Sequence, residues 1–536
     1  MNKIYLLLIF LFFTIFSGLV NLSLGVGMDW DYMSYHYYNA YAFLNDRIGY
    51  DLMPAGVQSY LNPILDIISY FVVNSLRQYP KFLLFIQGLP YGVLAFTIYL
   101  LNRTIFINCL DKKFANYIFI FVSTALCISE ATLVSEIGMS FNDIFPSTLC
   151  VVALILLIKS IREYKSKFVM WAGFLIGLAC GLKFTFACFA ISILISYMFF
   201  VPRKNIYEVF NRAGLFSLFM FIAFVLVEGW WAYILWKQFK NPMFPFYNGI
   251  FKSDLYAAIN YHDVKFFKLP YLKRLFLPLY WFDNTNYVVL EASFFDLRHI
   301  FMYLATIFTP FLLLTNLIIS FLKNEEVKID SEKKIYLFLV FYVIFGYLIW
   351  AKLFCHERYL LPILILNGTM IVLAFIQFSN WLKKREVYSI LIFILLIANV
   401  NYKSVNWGRS KELITAPKLN LSDNSIVYFW GAPLAYYIPE NSNARYVYLA
   451  GDSASGQYNF VQTDKYFELA DKYEKQASKK YLIYPRILPP DTIRANSKYI
   501  LKKYFKKAKN CKNVERVPRS FNAYYFIQDF KICEID

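Results

Sequence analysis

Two acidic residues, Asp29 and Asp31, begin a polar and aromatic stretch directly after an apolar N-terminal segment. Carboxylates at the edge of a membrane span cost free energy unless they have partners or a function. One of these acids could act as a general base that deprotonates an acceptor hydroxyl or amine, with Tyr35 and His36 holding it in place. The alternative is that both acids only cap the helix that follows. We favour catalysis, because the whole stretch is polar in a mostly apolar chain.

A second polar group, at the end of the third apolar span, contains Glu136, Asn142 and Asp143. Its carboxylates and amide could hold the hydroxyls of a sugar or, through their oxygens, a divalent cation. A polar turn whose last residue caps the next helix explains the same spacing equally well. The sequence leaves both interpretations open, and we infer no metal and no other cofactor from it.

Three cations follow near the ends of later spans: Lys183, Arg298 and Arg358. A lone lysine between two apolar helices often extends to lipid headgroups. Three cations on the same side as an acidic loop would suit a phosphate or diphosphate leaving group, and the planar fork of arginine binds phosphate in a bidentate manner. We therefore predict that these three residues bind phosphate.

Composition places these residues in a membrane protein. The 536 residues are 59% hydrophobic and 17% charged, whereas soluble domains are about half apolar and about a quarter charged. The net charge of +18 comes from short loops between apolar spans, so the positive-inside rule explains it without nucleic acid. Cys511 and Cys533 could form a disulfide if the C-terminal region lies outside the cytoplasm.

Hydropathy predicts about eleven spans, with the N-terminus in the cytoplasm and basic inner loops such as the one with Arg103, Lys112 and Lys113. Pro63–Asn74 is too short to span, so we assign it to an amphipathic helix in the interface. The predicted spans are Ile4–Leu22, Lys81–Leu101, Asn116–Ala131, Ile144–Ile158, two within Phe168–Phe200, Leu215–Trp236, Ile300–Phe321, Ile335–Ala351, Leu360–Phe378 and Val387–Val400.

The predicted fold is an all-α polytopic membrane bundle of about eleven transmembrane helices, with juxtamembrane helices in its first external loop. This membrane domain covers residues 1–402, with external loops at 23–80 and 238–299. Residues 403–536 form a small extracytoplasmic α/β domain. The strands predicted in it are Ser425–Trp430, Arg445–Leu449, Tyr481–Tyr484 and Ala523–Ile527.

The membrane part resembles the GT-C superfamily of polytopic membrane glycosyltransferases, whose better-known members are protein O-mannosyltransferases and aminoarabinose transferases. The likeness is closest to uncharacterised bacterial members. It is carried by four motifs in this order: D-x-x-x-Y-H at Asp31–His36, E-x-G and then N-D within Glu136–Asp143, G-L-K-x-T at Gly181–Thr185, and N-P-x-F-P at Asn241–Pro245.

The resemblance implies an inverting enzyme that takes a sugar from a polyprenyl-phosphate or polyprenyl-diphosphate carrier. It implies that Asp31 is the general base, since its spacing to His36 fits the motif better than that of Asp29. The predicted residues that support the base or bind the donor and acceptor are Asp29, Tyr35, His36, Glu136, Asn142, Asp143, Lys183, Arg298 and Arg358.

We accordingly expect a bacterial inner-membrane glycosyltransferase that uses an undecaprenyl-linked sugar and an envelope glycan, lipid or protein as acceptor. Two alternatives belong to other classes: a transporter or flippase of lipid-linked glycans, and a non-catalytic subunit of envelope-polymer assembly. A transporter needs ionisable groups deep within its spans and access from both faces. The ionisable residues here are predicted on one face, which favours the enzyme. The sequence indicates neither the sugar nor the acceptor.

Overall fold

The computed structural model describes residues 3–27, 29–201, 205–261, 266–267, 269–280, 296–322, 330–379, 384–400, 409–410, 416–431, 434–450, 462–485, 503–514 and 530–536. The helices are α1 (Lys3–Leu24), α2 (Tyr37–Leu44), α3 (Ile64–Leu76), α4 (Pro80–Phe106), α5 (Lys113–Ile128), α6 (Ala131–Ser135), α7 (Ile144–Glu163), α8 (Ser166–Leu182), α9 (Ala187–Phe200), α10 (Ile206–Phe239), α11 (Asn248–Phe251), α12 (Tyr271–Arg274), α13 (Leu277–Tyr280), α14 (Leu297–Leu322), α15 (Ser331–Leu353), α16 (Leu361–Leu364), α17 (Asn367–Phe378), α18 (Arg385–Ala398) and α19 (Asp464–Gln476).

Six of the described helices are long and apolar enough to cross a membrane: α1, α4, α7, α10, α14 over Leu297–Thr315, and α15. A seventh span arises if Glu357–Leu364 and Asn367–Phe378, which meet at 45°, count as one broken helix. The prediction of about eleven spans is therefore too high by this criterion. The other predicted spans form shorter helices, such as the 17 residues of α8. These reach only about 25 Å, below the roughly 30 Å of a hydrocarbon core.

Helix α10 is longer than a membrane span needs, because its 34 residues extend for about 51 Å. The side chain of Asn205 caps its first turn by accepting a 3.1 Å hydrogen bond from the backbone N–H of Glu208. Near its other end the indole of Trp231 donates to the carbonyl of Tyr60 at 2.9 Å. A helix of this length exceeds the hydrocarbon thickness, and its last turns support the loop between α2 and α3.

Close packing of α8 on α10 fixes the end of α8, where Lys183 follows. A Cβ atom at Gly173 would lie 2.2 Å from the carbonyl oxygen of Phe216, and one at Gly177 would lie 2.1 Å from that of Met220. Two glycines four residues apart, a pattern also found between packed membrane helices, let the backbones of α8 and α10 approach closely. Helix α3, predicted as interfacial, is amphipathic: Ile68 and Phe71 are exposed, and Asp66 and Val73 are buried.

The C-terminal region contains a five-stranded sheet in the order β4-β3-β5-β7-β6. Strand β3 is parallel to β4 and β5, and β7 is antiparallel to β5 and β6. The strands predicted as β3, β4 and β5 are confirmed, whereas the predicted strand Ala523–Ile527 lies outside the described residues. A disulfide joins Cys511 and Cys533 on the neighbouring strands β6 and β7. The strands are β1 (Val26–Gly27), β2 (Arg409–Ser410), β3 (Ser425–Trp430), β4 (Ala444–Ala450), β5 (Lys480–Pro485), β6 (Ala508–Val514) and β7 (Phe530–Ile535).

The loop between α2 and α3 packs directly against this sheet. Leu52 forms a parallel bridge with Val447 of β4. A buried ion pair next to it joins Arg47 to Asp51 through two hydrogen bonds of 2.8 and 2.7 Å. The same arginine donates to the carbonyls of Ser442 and Ala444. The loop that carries the first acids is therefore held from both sides, by α10 and by the C-terminal sheet.

Candidate functional site

Asp31 lies directly before a five-residue π-helical turn, Tyr32–His36, at the start of the first predicted external loop. Turns of this kind are frequent at functional sites. Oδ2 of Asp31 accepts a 2.9 Å hydrogen bond from Nη1 of Arg358. The Asp31 side chain is 13% exposed, whereas Asp29 and Asp143 are almost fully buried. Asp31 is thus the acid of this cluster that a substrate reaches most easily.

Arg358 comes from the short 3-10 turn Glu357–Leu360, which follows α15. Its guanidinium lies over the ring of Phe141, 3.9 Å from the ring centroid, a contact that arginine makes well. Its Nε is 3.7 Å from Oδ2 of Asp143, too far for a hydrogen bond. Within the described chain this Nε has no hydrogen-bond acceptor. Arg358 therefore retains donor capacity beyond its bond to Asp31.

Lys183 and Asp143 bring a second cation to the same place. Nζ of Lys183 donates to Oδ1 of Asp143 at 2.5 Å and to the carbonyl oxygen of Phe141 at 2.8 Å. Asp143 occupies the N-cap position of α7, but its side chain makes no capping hydrogen bond. The carboxylate binds the cation from α8 instead of the helix that it precedes.

Asp29 is a structural partner of the turn that begins at Asp31. Its Oδ1 accepts hydrogen bonds of 2.9 Å from the backbone N–H of Tyr32 and from the hydroxyl of Ser140. Burial and the neighbouring charge of Asp31 raise the pKa of Asp29. The capping alternative thus applies to Asp29, whereas Asp31 makes no capping bond. The two acids of the first motif therefore have different environments: Asp29 is bonded within the loop, and Asp31 is bonded to Arg358.

His36 forms a buried pair with Asp66 of α3, at 2.6 Å between Nδ1 and Oδ1. Asn142 donates to the same carboxylate oxygen at 2.8 Å. The ring of Tyr35 lies 4.2 Å from that of His36. Asn142 has a φ of +60°, which asparagine tolerates better than most residues. This left-handed backbone directs the turn before α7 toward the first loop, and the two predicted motifs meet there.

Glu136 lies at the inner side of this cluster and is 1% exposed. Neither of its carboxylate oxygens has a hydrogen-bond partner among the described residues. Burial and the negative charge of Asp143 raise its pKa well above the usual range, against the opposing effect of Arg358 and Lys183. These effects favour the protonated form of the carboxyl group, which can donate a hydrogen bond.

Arg298 does not join the Asp31 cluster. Its guanidinium is fully buried and donates two hydrogen bonds to the carboxylate of Asp296, one of 2.7 Å from Nε and a second from Nη2. It also donates to the carbonyls of Leu126 and Ser129 and to the hydroxyl of Ser129. These bonds use the donors that a phosphate would need. The described chain therefore gives the predicted phosphate role of Arg298 no support.

A buried group next to Arg298 has the composition of a metal site. Glu130, Asp296 and His299 each offer a ligand atom within 4.8 Å of the others, and Glu357 lies 3.6 Å from His299. However, Arg298 already binds both oxygens of Asp296. The two oxygens of Glu130 accept the first N–H groups of α6. Glu130 and Asp296 are thus satisfied by the protein itself, as expected for an ion-pair network, whereas Oε2 of Glu357 has no hydrogen-bond partner among the described residues.

Arg409 is a site-associated residue that the sequence analysis missed. Strand β2, which contains it, pairs with β1 just before Asp29. Its Nη2 donates to the carbonyls of Ser135 and Ile137, on either side of Glu136. It therefore ties the first acidic loop to the second. A single arginine in a polar stretch carries no motif or spacing that would have identified it.

Together, the polar ends of α8 and α15 and the turns before α2 and α7 form one cluster. The structure brings together Asp29, Asp31, Tyr35, His36, Glu136, Asn142, Asp143, Lys183 and Arg358 of the predicted site. Chemically, the cluster offers a reachable carboxylate beside two cations.

No protein-family model matches the chain, and a search of the curated proteins finds no match.

Proposed function

We propose that this chain is an inverting membrane glycosyltransferase of the GT-C kind. It moves a sugar from an undecaprenyl-phosphate-linked donor to an envelope glycan, lipid or protein at the external face of the bacterial inner membrane. The observation that carries the proposal is the contact between the reachable carboxylate of Asp31 and the incompletely used guanidinium of Arg358. This carboxylate and cation lie side by side in a chain whose described part has six or seven helices apolar enough to cross a membrane, and that setting supports a lipid-linked donor.

In the proposed reaction, Asp31 takes the proton of the acceptor hydroxyl or amine. The freed electron pair forms the bond to the anomeric carbon, while the bond from that carbon to the phosphate oxygen breaks. The phosphate leaves with the electron pair of the broken bond, and because the acceptor attacks the opposite face, the anomeric centre is inverted. A positioned general base contributes about 10²- to 10⁴-fold to such a step.

Arg358 and Lys183 stabilise the charge that develops on the leaving phosphate. Without substrate, Arg358 donates to Asp31 and Lys183 donates to Asp143. A phosphate oxygen competes with these carboxylates for the same donors, and arginine binds it with charge-assisted bonds. Donor binding therefore weakens the bond between Arg358 and Asp31, and the carboxylate becomes a stronger base when the donor is in place.

Glu136 and Asn142 supply neutral hydrogen-bonding groups near the charged ones. The carboxyl of Glu136, whose raised pKa favours the neutral form, has no partner in the described chain, and Asn142 already bridges to Asp66. Neutral donors orient a sugar or phosphate oxygen without adding negative charge that would repel the donor. In this assignment Asp29 supports the loop and does not contact the substrate.

The test uses the full chain reconstituted in lipid nanodiscs with radiolabelled sugars on undecaprenyl phosphate and an envelope extract as acceptor. We expect transfer by the wild type and a loss of about 10²-fold or more in Asp31→Asn. The matched control is Asp46→Asn, because Asp46 is an exposed acid of the same loop. Full activity of Asp31→Asn would overturn the assignment of the base.

A second arm separates the enzyme from the alternatives. Proteoliposomes that move the labelled lipid across the bilayer without transferring the sugar would support the transporter. A protein that neither transfers nor moves any donor of the panel would support the assembly subunit. Either result would contradict the enzymatic proposal, because the wild-type protein itself would not transfer the sugar.

A further inference from the structure

One ring nitrogen of His36 is hydrogen-bonded, and the other has no partner among the described residues. Its Nδ1 lies 2.6 Å from Oδ1 of Asp66. Its Nε2 is buried and has no hydrogen-bond partner in the part of the chain that the structure describes. A buried polar atom without a partner costs free energy unless a ligand or water satisfies it. The side chain is only 10% exposed, so this nitrogen is shielded from bulk solvent.

The hydrogen bonds of Asp66 fix where the protons of this ring lie. An ionised carboxylate only accepts hydrogen bonds, so the short contact places a proton on Nδ1 of His36. Asn142 donates to the same oxygen of Asp66, which holds that carboxylate in place. The neutral ring has a bare Nε2, and the charged ring carries a second N–H there. Only the charged ring can donate from Nε2.

The surrounding acids favour the charged ring. Burial lowers the pKa of His36, but the carboxylates of Asp66, Asp31 and Asp29 outweigh it and raise the pKa. The π-turn contributes to this, because Asp31 and His36 are five residues apart. Residues five apart are offset by about 140° on an α-helix, whereas the wider i→i+5 turn brings them closer to one face. The cation faces Asp31 and Asp29 from its own turn and Asp66 from α3.

The cluster has a charge balance that an anionic donor must overcome. Four acids, Asp29, Asp31, Asp66 and Asp143, lie beside three permanent cations of the described chain: Lys183 pairs with Asp143, Arg358 pairs with Asp31, and Arg409 interacts electrostatically with Asp29. Asn142 contacts Asp66 and directly precedes Asp143. The carboxylate of Asp31 acts on both His36 and Arg358, so it links the imidazole to that cation. A phosphate entering this acidic environment gains from each additional positive charge.

We propose that His36, held by Asp66, is a third cationic ligand of the donor phosphate and makes donor binding depend on pH. This inference rests on the proposed function, since it requires a phosphate-containing donor. In its charged form the imidazole donates from Nε2 to a phosphate oxygen while Nδ1 remains bonded to Asp66. Binding is strong while His36 is protonated and weakens as the pH rises through its pKa, when the charge and the second donor are lost.

The experiment measures binding of undecaprenyl phosphate to the full chain in nanodiscs from about pH 6 to about pH 9, the range in which a histidine with a raised pKa titrates. We expect the wild-type affinity to fall by roughly tenfold across this range. His36→Gln keeps a donor but no charge, so its affinity should be low at the acidic end and should not fall as the pH rises. Asp66→Asn removes the main acid beside the ring and should move the fall to lower pH.

The second ionisation of the phosphate, near pH 6, adds negative charge to the probe as the pH rises. With permanent cations this strengthens binding, which is opposite in sign to the expected fall. Asp46→Asn serves as the control for an acid change in the same loop, and gel filtration shows that each variant is folded. The Asp66→Asn arm also tests the proposal if His36→Gln does not accumulate.

The possible failures are distinguishable. A wild type that does not bind undecaprenyl phosphate at any pH would overturn the proposed function and this inference with it. A wild type that binds with the same pH dependence as His36→Gln would overturn only the role of His36. An unchanged midpoint in Asp66→Asn would show that Asp66 does not hold the charged ring, and it would also contradict the proposal.

Discussion

Nη1 of Arg358 lies 2.9 Å from Oδ2 of Asp31, across 327 positions of the chain. The bond joins the turn before α2 to the turn after α15. Its two partners have opposite roles in the proposed reaction, since one takes a proton and the other stabilises a leaving phosphate. The ion pair between them stabilises the chain without ligand. In the proposed reaction a donor phosphate competes for this pair, so donor binding and activation of the base would be coupled at one contact.

Arg358→Lys and Arg358→Ala test this coupling. We expect both variants to bind undecaprenyl phosphate at least about tenfold more weakly, because lysine keeps the charge but loses the planar fork. Titration of the nanodisc-embedded protein with undecaprenyl phosphate measures the change. Lys237→Ala, which removes an exposed cation at the end of α10, is the matched control. Wild-type affinity in Arg358→Lys would show that the fork is not used for phosphate.

The sequence predicted much of the cluster because its residues follow a simple rule. Polar residues at span ends stand out against an apolar background, which is how Asp31, Lys183 and Arg358 were identified. Their sidedness then implied that they meet, and the contacts of Asp143 with Lys183 agree with this. The pairing of His36 with Asp66 could not be predicted, because in the sequence Asp66 is only an acid in the first turn of an amphipathic helix.

The buried pair of Arg47 and Asp51 provides a prediction about stability. Each hydrogen-bonding group of this pair is satisfied, by the partner, by Tyr38 and by the sheet. Removing one member leaves a buried charge without compensation, which costs about 3–5 kcal/mol. We expect Arg47→Met to lower the apparent melting temperature strongly and to expose the C-terminal sheet to proteolysis.

The matched control is the pair of Arg77 and Glu440. It also connects the first loop to the C-terminal region, at 3.4 Å, but both side chains are partly exposed. Exposed pairs contribute at most about 1 kcal/mol, so Arg77→Ala should change the melting temperature little. Equal effects of Arg47→Met and Arg77→Ala would contradict the anchoring role of the buried pair.

Glu136 gives a prediction about pH. Its pKa is raised by burial and by Asp143, so the folded state keeps a proton that the unfolded state has lost above the ordinary glutamate range. Stability then falls as the pH rises above that range, until the pH reaches the raised pKa. Glu136→Gln removes this contribution. The melting temperature of the variant should fall less steeply with pH than that of the wild type, and parallel curves would contradict the assignment.

Arg298 shows the limit of assigning roles from sidedness. Arg298 and Arg358 both lie near span ends and were predicted to bind phosphate, yet only Arg358 has an unused donor. The donors of Arg298 are occupied by backbone carbonyls at the end of α5 and by Asp296. Tertiary packing brings these acceptors to Arg298, and the sequence does not reveal it. The predicted number of membrane spans was too high for a related reason. Hydropathy does not reveal that an apolar run such as that of α9 forms a helix of only 14 residues.

The network around Arg298 leads to a prediction about metals. Because Arg298 and the N–H groups of α6 already satisfy Asp296 and Glu130, we expect EDTA to leave the melting temperature unchanged. Arg298→Met should instead destabilise the protein by about 3–5 kcal/mol, since it leaves Asp296 buried without its cation. Lys237→Met, at an exposed position, controls for loss of a charge. A melting temperature that falls with EDTA and recovers with a divalent metal would show that Glu130, Asp296 and His299 hold an ion.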